Sequence, residues 1–333
     1  MFSLFKRNKV SAPAVLRKNE YGYLGKTAFK PDFLKFQVNS RESIALDHWI
    51  KEGFSYASRN SLQQKGTDTS FGLTNLFFMA GNESEANLVG VIKPSIDSSG
   101  RHYPFVSFVN SGQELYRLHP AALFLHESND FNHLYQLVDE VFSATSDEAM
   151  QKQASKLDHI VYALKQPARI NQLLDKFRHI PMETLWNAVG IADVDVRALL
   201  IHESSLTLNS IANRGCLRSQ QGLRFPMPCL GDSFELVAAF WLHLVTVVVA
   251  DHNWRPWVFY QIGSCGSAAS LTIFTTPMPP SYFDSIWSAS SINNNIIDLQ
   301  ALNATEPLSE ASLSLAKMNN VSMYDALRRW CKA

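Results

Sequence analysis

The sequence predicts an α+β protein of two domains, each a small, mostly antiparallel sheet flanked by helices. Three observations lead there. The chain has 333 residues, more than one comfortable core at roughly 150 residues per domain. Its apolar fraction of 46% leaves ample material to bury in two. Short apolar runs of strand length, divided by turn signals, are followed by amphipathic helical stretches in the first half, and the pattern returns in the second. The expected boundaries are a flexible tail at 1–19, an N-terminal domain at 20–150, a helical linker at 151–180 and a C-terminal α+β domain at 181–333.

In chain order, Tyr21 to Gly25 has the aromatic, glycine-punctuated character of a strand running into a turn. Ser40 to Ser58 predicts a helix: Ile44, Trp49, Ile50 and Phe54 recur near a helical period behind Ser40 as N-cap. Gln63 to Ser70 is a polar loop. Asn75–Met79, Ala86–Ile92 and Tyr103–Val109 predict strands, with turns at Gly81-Asn82 and Asp97–Gly100. Pro120 to Ala144 returns to helix. Thr145 to Arg178, charged and poor in aromatics, predicts solvent-facing helices. Pro181 resets the chain, because the residue before a proline avoids the helical region.

In the second half, Met182–Val189 predicts a helix and Arg197–Leu208 polar strands. Leu223 to Pro228 is a proline-stiffened extended segment, and Asp232 to Glu235 supplies a capping box for the apolar helix that follows. Trp257–Ile262 and Ser270–Thr275 predict strands, and Tyr282–Ser288 a helix. Asn303–Asn319 is expected to be loose, and Ser322–Cys331 forms a last short helix.

Composition narrows the function. Thirty basic and thirty acidic residues cancel, so no net field draws nucleic acid or an anionic membrane. The longest apolar run, Leu236 to Ala250, is shorter than a bilayer span and carries His243, which predicts a buried helix and no membrane insertion. No apolar h-region follows Lys6, Arg7 and Lys9, so a signal peptide is not expected and the expected location is the cytoplasm. Cys216, Cys229, Cys265 and Cys331 form no C-x-x-C pair, which argues for reduced thiols over a zinc or redox site.

Two constellations stand out. Gly25-Lys26 is followed by Asp32-Phe33. Glu20 occupies the position where a phosphate-binding P-loop needs glycine, so a turn with Phe33 plugging the core is the plainer explanation. Pro94-Ser95-Ile-Asp97-Ser-Ser-Gly100-Arg101-His-Tyr103-Pro104 holds a type I turn signature. Arg101 is placed to pair with Asp97 or Asp32. The second segment is either a rigid presented surface or simply a well-formed hairpin.

These residues, with Trp49-Ile50, Ser58-Arg59 and Gly90 to Lys93, resemble the N-terminal domain of the TagF/ImpM family over about residues 20–110. Phe240-Trp241, Trp257–Phe259 and Pro279–Phe283 are more loosely similar to the C-terminal part of longer members. No aspartate-rich motif of a fused phosphatase is present. The resemblance implies a post-translational repressor of type VI secretion that binds the forkhead-associated scaffold protein of that system. It implies no cofactor and no catalytic group. The family-motif residues expected to form or support the binding surface are Gly25, Lys26, Asp32, Phe33, Trp49, Pro94, Ser95, Asp97, Gly100, Arg101, Tyr103 and Pro104. The C-terminal half, with six of the seven tryptophans, is a second contributor.

Rival readings come from other classes. Cys265, between small residues after a strand, invites a thiol hydrolase, which would need a low-pKa thiolate and a base such as His243 or His252. His243, Asp251 and His252 lack metal-ligand spacing. A structural adaptor of the secretion baseplate is the third reading.

Overall fold

The computed structural model describes residues 20–63, 72–125, 130–166, 168–231, 233–263, 268–288, 295–301 and 307–332. The tail at 1–19, most of the loop expected at 63–70, Asp232 of the capping box and Cys265 lie outside the described residues.

Nine strands form one sheet: β1 (Tyr21–Thr27), β2 (Lys30–Phe36), β3 (Asn75–Met79), β4 (Asn87–Lys93), β5 (Phe105–Ser111), β6 (Gly222–Pro226), β7 (Trp257–Gln261), β8 (Ser270–Phe274) and β9 (Ile296–Asp298). Their spatial order is β2-β1-β5-β4-β3-β7-β8-β6-β9, antiparallel throughout except for β6 with β9. The α+β class is as expected, but the two separate small sheets are not found. β3 pairs with β7 from Asn75↔Gln261 to Met79↔Trp257, which fuses the strands of both halves edge to edge.

The strands read as continuous apolar runs because both faces of the sheet are covered. Their side chains alternate between two cores, as the pleat requires. Leu76 and Phe78 of β3 join one core, Phe77 and Met79 the other. Val89 and Val91 of β4 face the first core, Leu88 and Ile92 the second. The second core is roofed by α1 (Arg41–Gln63) and by α10 (Asp284–Trp287) with the turn Pro280–Tyr282 before it.

The thicker layer on the opposite face holds α2 (Glu114–Leu118), the 3-10 segment Pro120–Leu125, α3 (Asp130–Phe142), α4 (Asp147–Ala154), α5 (Asp158–Lys165) and α6 (Ile170–His179). It continues with α7 (Met182–Ala188), α8 (Val194–Arg214), α9 (Phe234–Val249), α11 (Glu310–Ala316) and α12 (Met323–Trp330).

Four expectations fail here. The single helix expected over 120–144 is the 3-10 segment followed by α3. The helices expected to face solvent at 145–178 bury Met150, Leu157, Ile160, Val161, Leu164 and Phe177 in the first core. Leu157, Ile160, Val161 and Leu164 recur at i, i+3, i+4 and i+7 as a buried face should, but the charged residues between them dominated the reading. Arg197–Leu208 is not strand but the middle of α8. Asp193 caps that helix by accepting from the amides of Asp195 and Val196, and Gly215 ends it at φ +81°. Asn303–Asn319 contains α11, whose N-cap Ser309 accepts from the amide of Ser312.

The tryptophans of the C-terminal half are core. Trp186, Trp241 and Trp330 are buried, with the Trp330 ring in contact with each of the other two, and the indole N–H groups of Trp241 and Trp330 donate to Pro226 O and Ser204 Oγ, each at 3.0 Å. These three indoles are packed into the interior.

Candidate interaction surface

β1 enters its turn at Gly25, where φ is +119° and a Cβ would lie 2.1 Å from the carbonyl oxygen of Pro104. Only glycine allows β1 to cross so close to the segment leading into β5. The irregularity between Gly25 and Thr27 then rotates Lys26 inward. Its ammonium is buried and pairs with Asp97.

Asp97 organises the opposing hairpin. Oδ1 accepts from the Ser99 amide and the Arg101 amide, both at 2.9 Å, and from Ser99 Oγ at 3.0 Å. Oδ2 takes the Lys26 ammonium and Arg101 Nε, the latter at 2.8 Å. Burial pushes this carboxyl up. The Lys26 ammonium, the Arg101 amide, Ser99 and the Arg101 guanidinium outweigh that and hold it well below the usual carboxylate range. Gly100 closes the turn at φ +80°, with its amide donating to Asp97 O at 2.9 Å.

Two further bonds fasten this hairpin to the β1–β2 turn. Ser95 Oγ donates to Lys26 O at 2.7 Å, and Arg101 Nη2 to Pro31 O at 2.6 Å. The expected pairing of Arg101 with Asp97 is therefore present, and its other partner is the Pro31 carbonyl, not Asp32. Asp32 is exposed on β2.

Phe33 does not plug the core. It is 55% exposed, with the Lys26 ammonium 4.8 Å from its ring centre and the Tyr103 ring edge-on at 4.8 Å. Tyr103 in turn contacts Phe54 at 5.1 Å, and Phe54 contacts Trp287 at 5.9 Å. Trp287 stacks on Phe283, and Phe283 meets Trp49 at 5.1 Å. Trp49 itself is buried against Trp257 and Phe259, its indole N–H donating to Met278 O at 2.8 Å.

Of the twelve sequence-predicted residues, eleven thus lie at or beside the two turns. Trp49 lies apart, at the far end of an aromatic chain joining the turns to β7. Within the eleven, Lys26, Ser95, Asp97 and Pro104 are interior, Pro94 is half-buried, and Asp32, Phe33, Gly100 and Arg101 face solvent.

The motifs gave no sign of a neighbouring charge cluster. Asp47 on α1 is buried and accepts from Lys35 Nζ of β2 at 2.6 Å and from Lys51 Nζ at 2.8 Å. Burial raises its carboxyl, and the two lysines lower it further than that, to a net depression. Its charge and, more strongly, burial push the Tyr103 phenol up, so Asp47 lies within electrostatic reach of the turns. Two signals existed: the i,i+4 spacing of Asp47 and Lys51, and the i,i+2 spacing that puts Phe33 and Lys35 on one face of β2.

Two groups near the end of α8 have structural settings. Burial pushes the Cys216 thiol up to about 12, far from a nucleophile's range. Asp251 accepts from the amides of Cys216 at 2.6 Å and Asn253 at 2.8 Å, shaping a loop. Among the described residues no group of His, Cys, Asp and Glu has the arrangement to hold a metal, and no helix is long and apolar enough to cross a membrane.

A search of curated proteins returned no significant match. A crystal structure of PA0076 from Pseudomonas aeruginosa PAO1 aligns with 86% of this chain and 100% of its own at 14% identity and a TM-score of 0.47. Residues 22–160 match the family model described as TagF N-terminal domain, Type VI secretion system-associated. They span both turns, β1 to β5 and the helices through α5. The part of the chain that is similar to the TagF N-terminal domain therefore contains both turns as built above.

Proposed function

We propose that this chain is a non-catalytic, post-translational repressor of type VI secretion that binds the forkhead-associated scaffold protein of the system in the cytoplasm. The observation that carries this reading is the buried Lys26–Asp97 pair, which clamps two turns so that Phe33 and Arg101 stand out from a rigid base. Large exposed aromatics and arginines, held in place before binding, are the groups that anchor protein interfaces. No catalytic group is required for such a role.

In this reading residues 20–150 carry the binding surface and residues 181–333 hold it in shape through the aromatic chain ending at Trp257 and Phe259. The surface buried on binding would be about 1,200–2,000 Å².

The test uses Phe33→Asp and Arg101→Glu in a pull-down of the scaffold protein and in a secretion assay. Lys26 is unsuited to it, since reversing a buried charge destroys the base itself. Loss of capture together with release of secretion, in variants that keep the parent's thermal stability, supports the reading. Variants that still capture the scaffold and still repress place the contact elsewhere. Recovery of the protein in assembled, firing machines would favour a baseplate adaptor instead.

A further inference from the structure

We infer that the surface around Phe33 is built to receive an acidic, extended segment of a partner protein, lying along β2 with an apolar side chain over the Phe33 ring. The inference rests on the proposed function only in assuming that this surface is gripped by another protein.

Charge is the first ground. Each of the two buried carboxylates is shared by two cations: Asp97 by Lys26 and Arg101, Asp47 by Lys35 and Lys51. Four cations against two carboxylates leave two positive charges uncompensated, and counting exposed Asp32 the cluster stays cationic. The surplus sits where a partner can reach it. The Arg101 side chain is 60% exposed, and those of Lys35 and Lys51 are each 45% exposed.

Position is the second. β2 is the edge strand of the sheet, with β1 as its only strand neighbour among the described residues. Lysines and a proline on an edge discourage pairing with an arbitrary strand, and Lys30, Pro31 and Lys35 do this here. A strand carrying carboxylates removes that penalty and meets the surplus charge.

The third ground is Tyr103, 8% exposed and packed edge-on beneath Phe33. Its hydroxyl has no hydrogen-bond partner among the described residues. A buried hydroxyl left unpaired costs free energy, and a partner that shifts the Phe33 ring and supplies an acceptor would recover it. The chain's own residues 1–19 are a poor occupant, since they hold five basic residues and no acidic one.

The experiment measures binding of two fluorescein-labelled twelve-residue peptides to the full chain by anisotropy. One alternates aspartate with leucine, the other lysine with leucine. The expected result is binding of the acidic peptide only, weakened by added salt. Lys35→Ala and Arg101→Ala should each weaken it ~2–5-fold, and Phe33→Ala by about tenfold or more. Either cation change leaves its carboxylate one remaining cation, so the fold should persist, which thermal unfolding verifies.

Equal binding of both peptides, binding of neither, or indifference to all three substitutions overturns the inference. So does a dimer of this chain that the same substitutions dissolve, which would make a second copy the occupant. Capture of the scaffold without displacement by the acidic peptide sinks this inference and leaves the proposed function standing. Charge-dependent peptide binding without scaffold capture supports the inference and sinks the proposed function.

Discussion

Gly25 and Asp97 are the residues on which the paired turns depend, and each fails in its own way when changed. An alanine at 25 places a Cβ inside contact distance of the Pro104 carbonyl oxygen and Phe105 Cα, in a backbone conformation that L side chains avoid. Neither neighbour is a flexible side-chain end that could move aside. Gly25→Ala should therefore cost more than ~2 kcal/mol in denaturant unfolding. Gly100→Ala, with open space around its Cβ, should cost less, about the left-handed strain alone.

Asp97→Asn removes the anion that neutralises a buried lysine, and it should lower the unfolding midpoint at neutral pH. The pH course distinguishes this from a packing defect. The Asp97 carboxyl titrates below its unfolded value of about 3.9, so its contribution is fully present above that pH and is lost as pH falls towards the folded value. The stability gap between parent and variant should be widest near pH 7 and narrow below about pH 4. A gap that stays constant through acid would show that the charge is not what matters.

At the scale of elements, α1 is the piece that joins the turns to the rest of the molecule. It lies across the second core with Gly53 against Phe283, where a Cβ would come within 2.6 Å of the Phe283 side chain. One turn earlier Trp49 inserts between Phe283, Trp257 and Phe259. Trp49→Ala should cost about 3–5 kcal/mol, read by denaturant unfolding. It should also loosen Phe54 and Tyr103, visible as faster hydrogen exchange in the 95–105 segment.

The sequence carried this helix plainly, because its caps and its apolar spacing are local. It carried β1, β3, β4, β5, β7 and β8 for the same reason: short apolar runs between turn residues. α8 was hidden because its buried face carries Arg197, Ser204 and Ser205 while Val196 and Leu206 stand exposed, so its apolar residues lose their period. Its Asp193 and Gly215 caps were the legible signal. In the candidate surface, the two turns could be read from glycine and aspartate placement. The burial of Lys26, the exposure of Phe33 and the sharing of Asp47 by Lys35 and Lys51 could not, since each depends on where three separate elements meet.

For the whole molecule the decisive contact is β3 against β7. The five residue pairs from Asn75↔Gln261 to Met79↔Trp257 are separated by well over a hundred residues of chain, and no local pattern announces them. That pairing makes one sheet from strands assigned by sequence to two domains, and both cores run across it. Unfolding either half alone would expose the edge of the other half's sheet and the apolar faces of β3 and β7. The two halves should accordingly unfold together. Tryptophan fluorescence reports mainly the C-terminal half, which holds six of the seven tryptophans, whereas far-ultraviolet circular dichroism reports both. In a denaturant titration the two signals should trace one curve with a common midpoint. Trp49→Ala should shift both equally although it lies in the N-terminal half. Separate midpoints, with only circular dichroism responding to Trp49→Ala, would restore the division near residues 151–180 and make the β3–β7 junction a contact between independently stable domains.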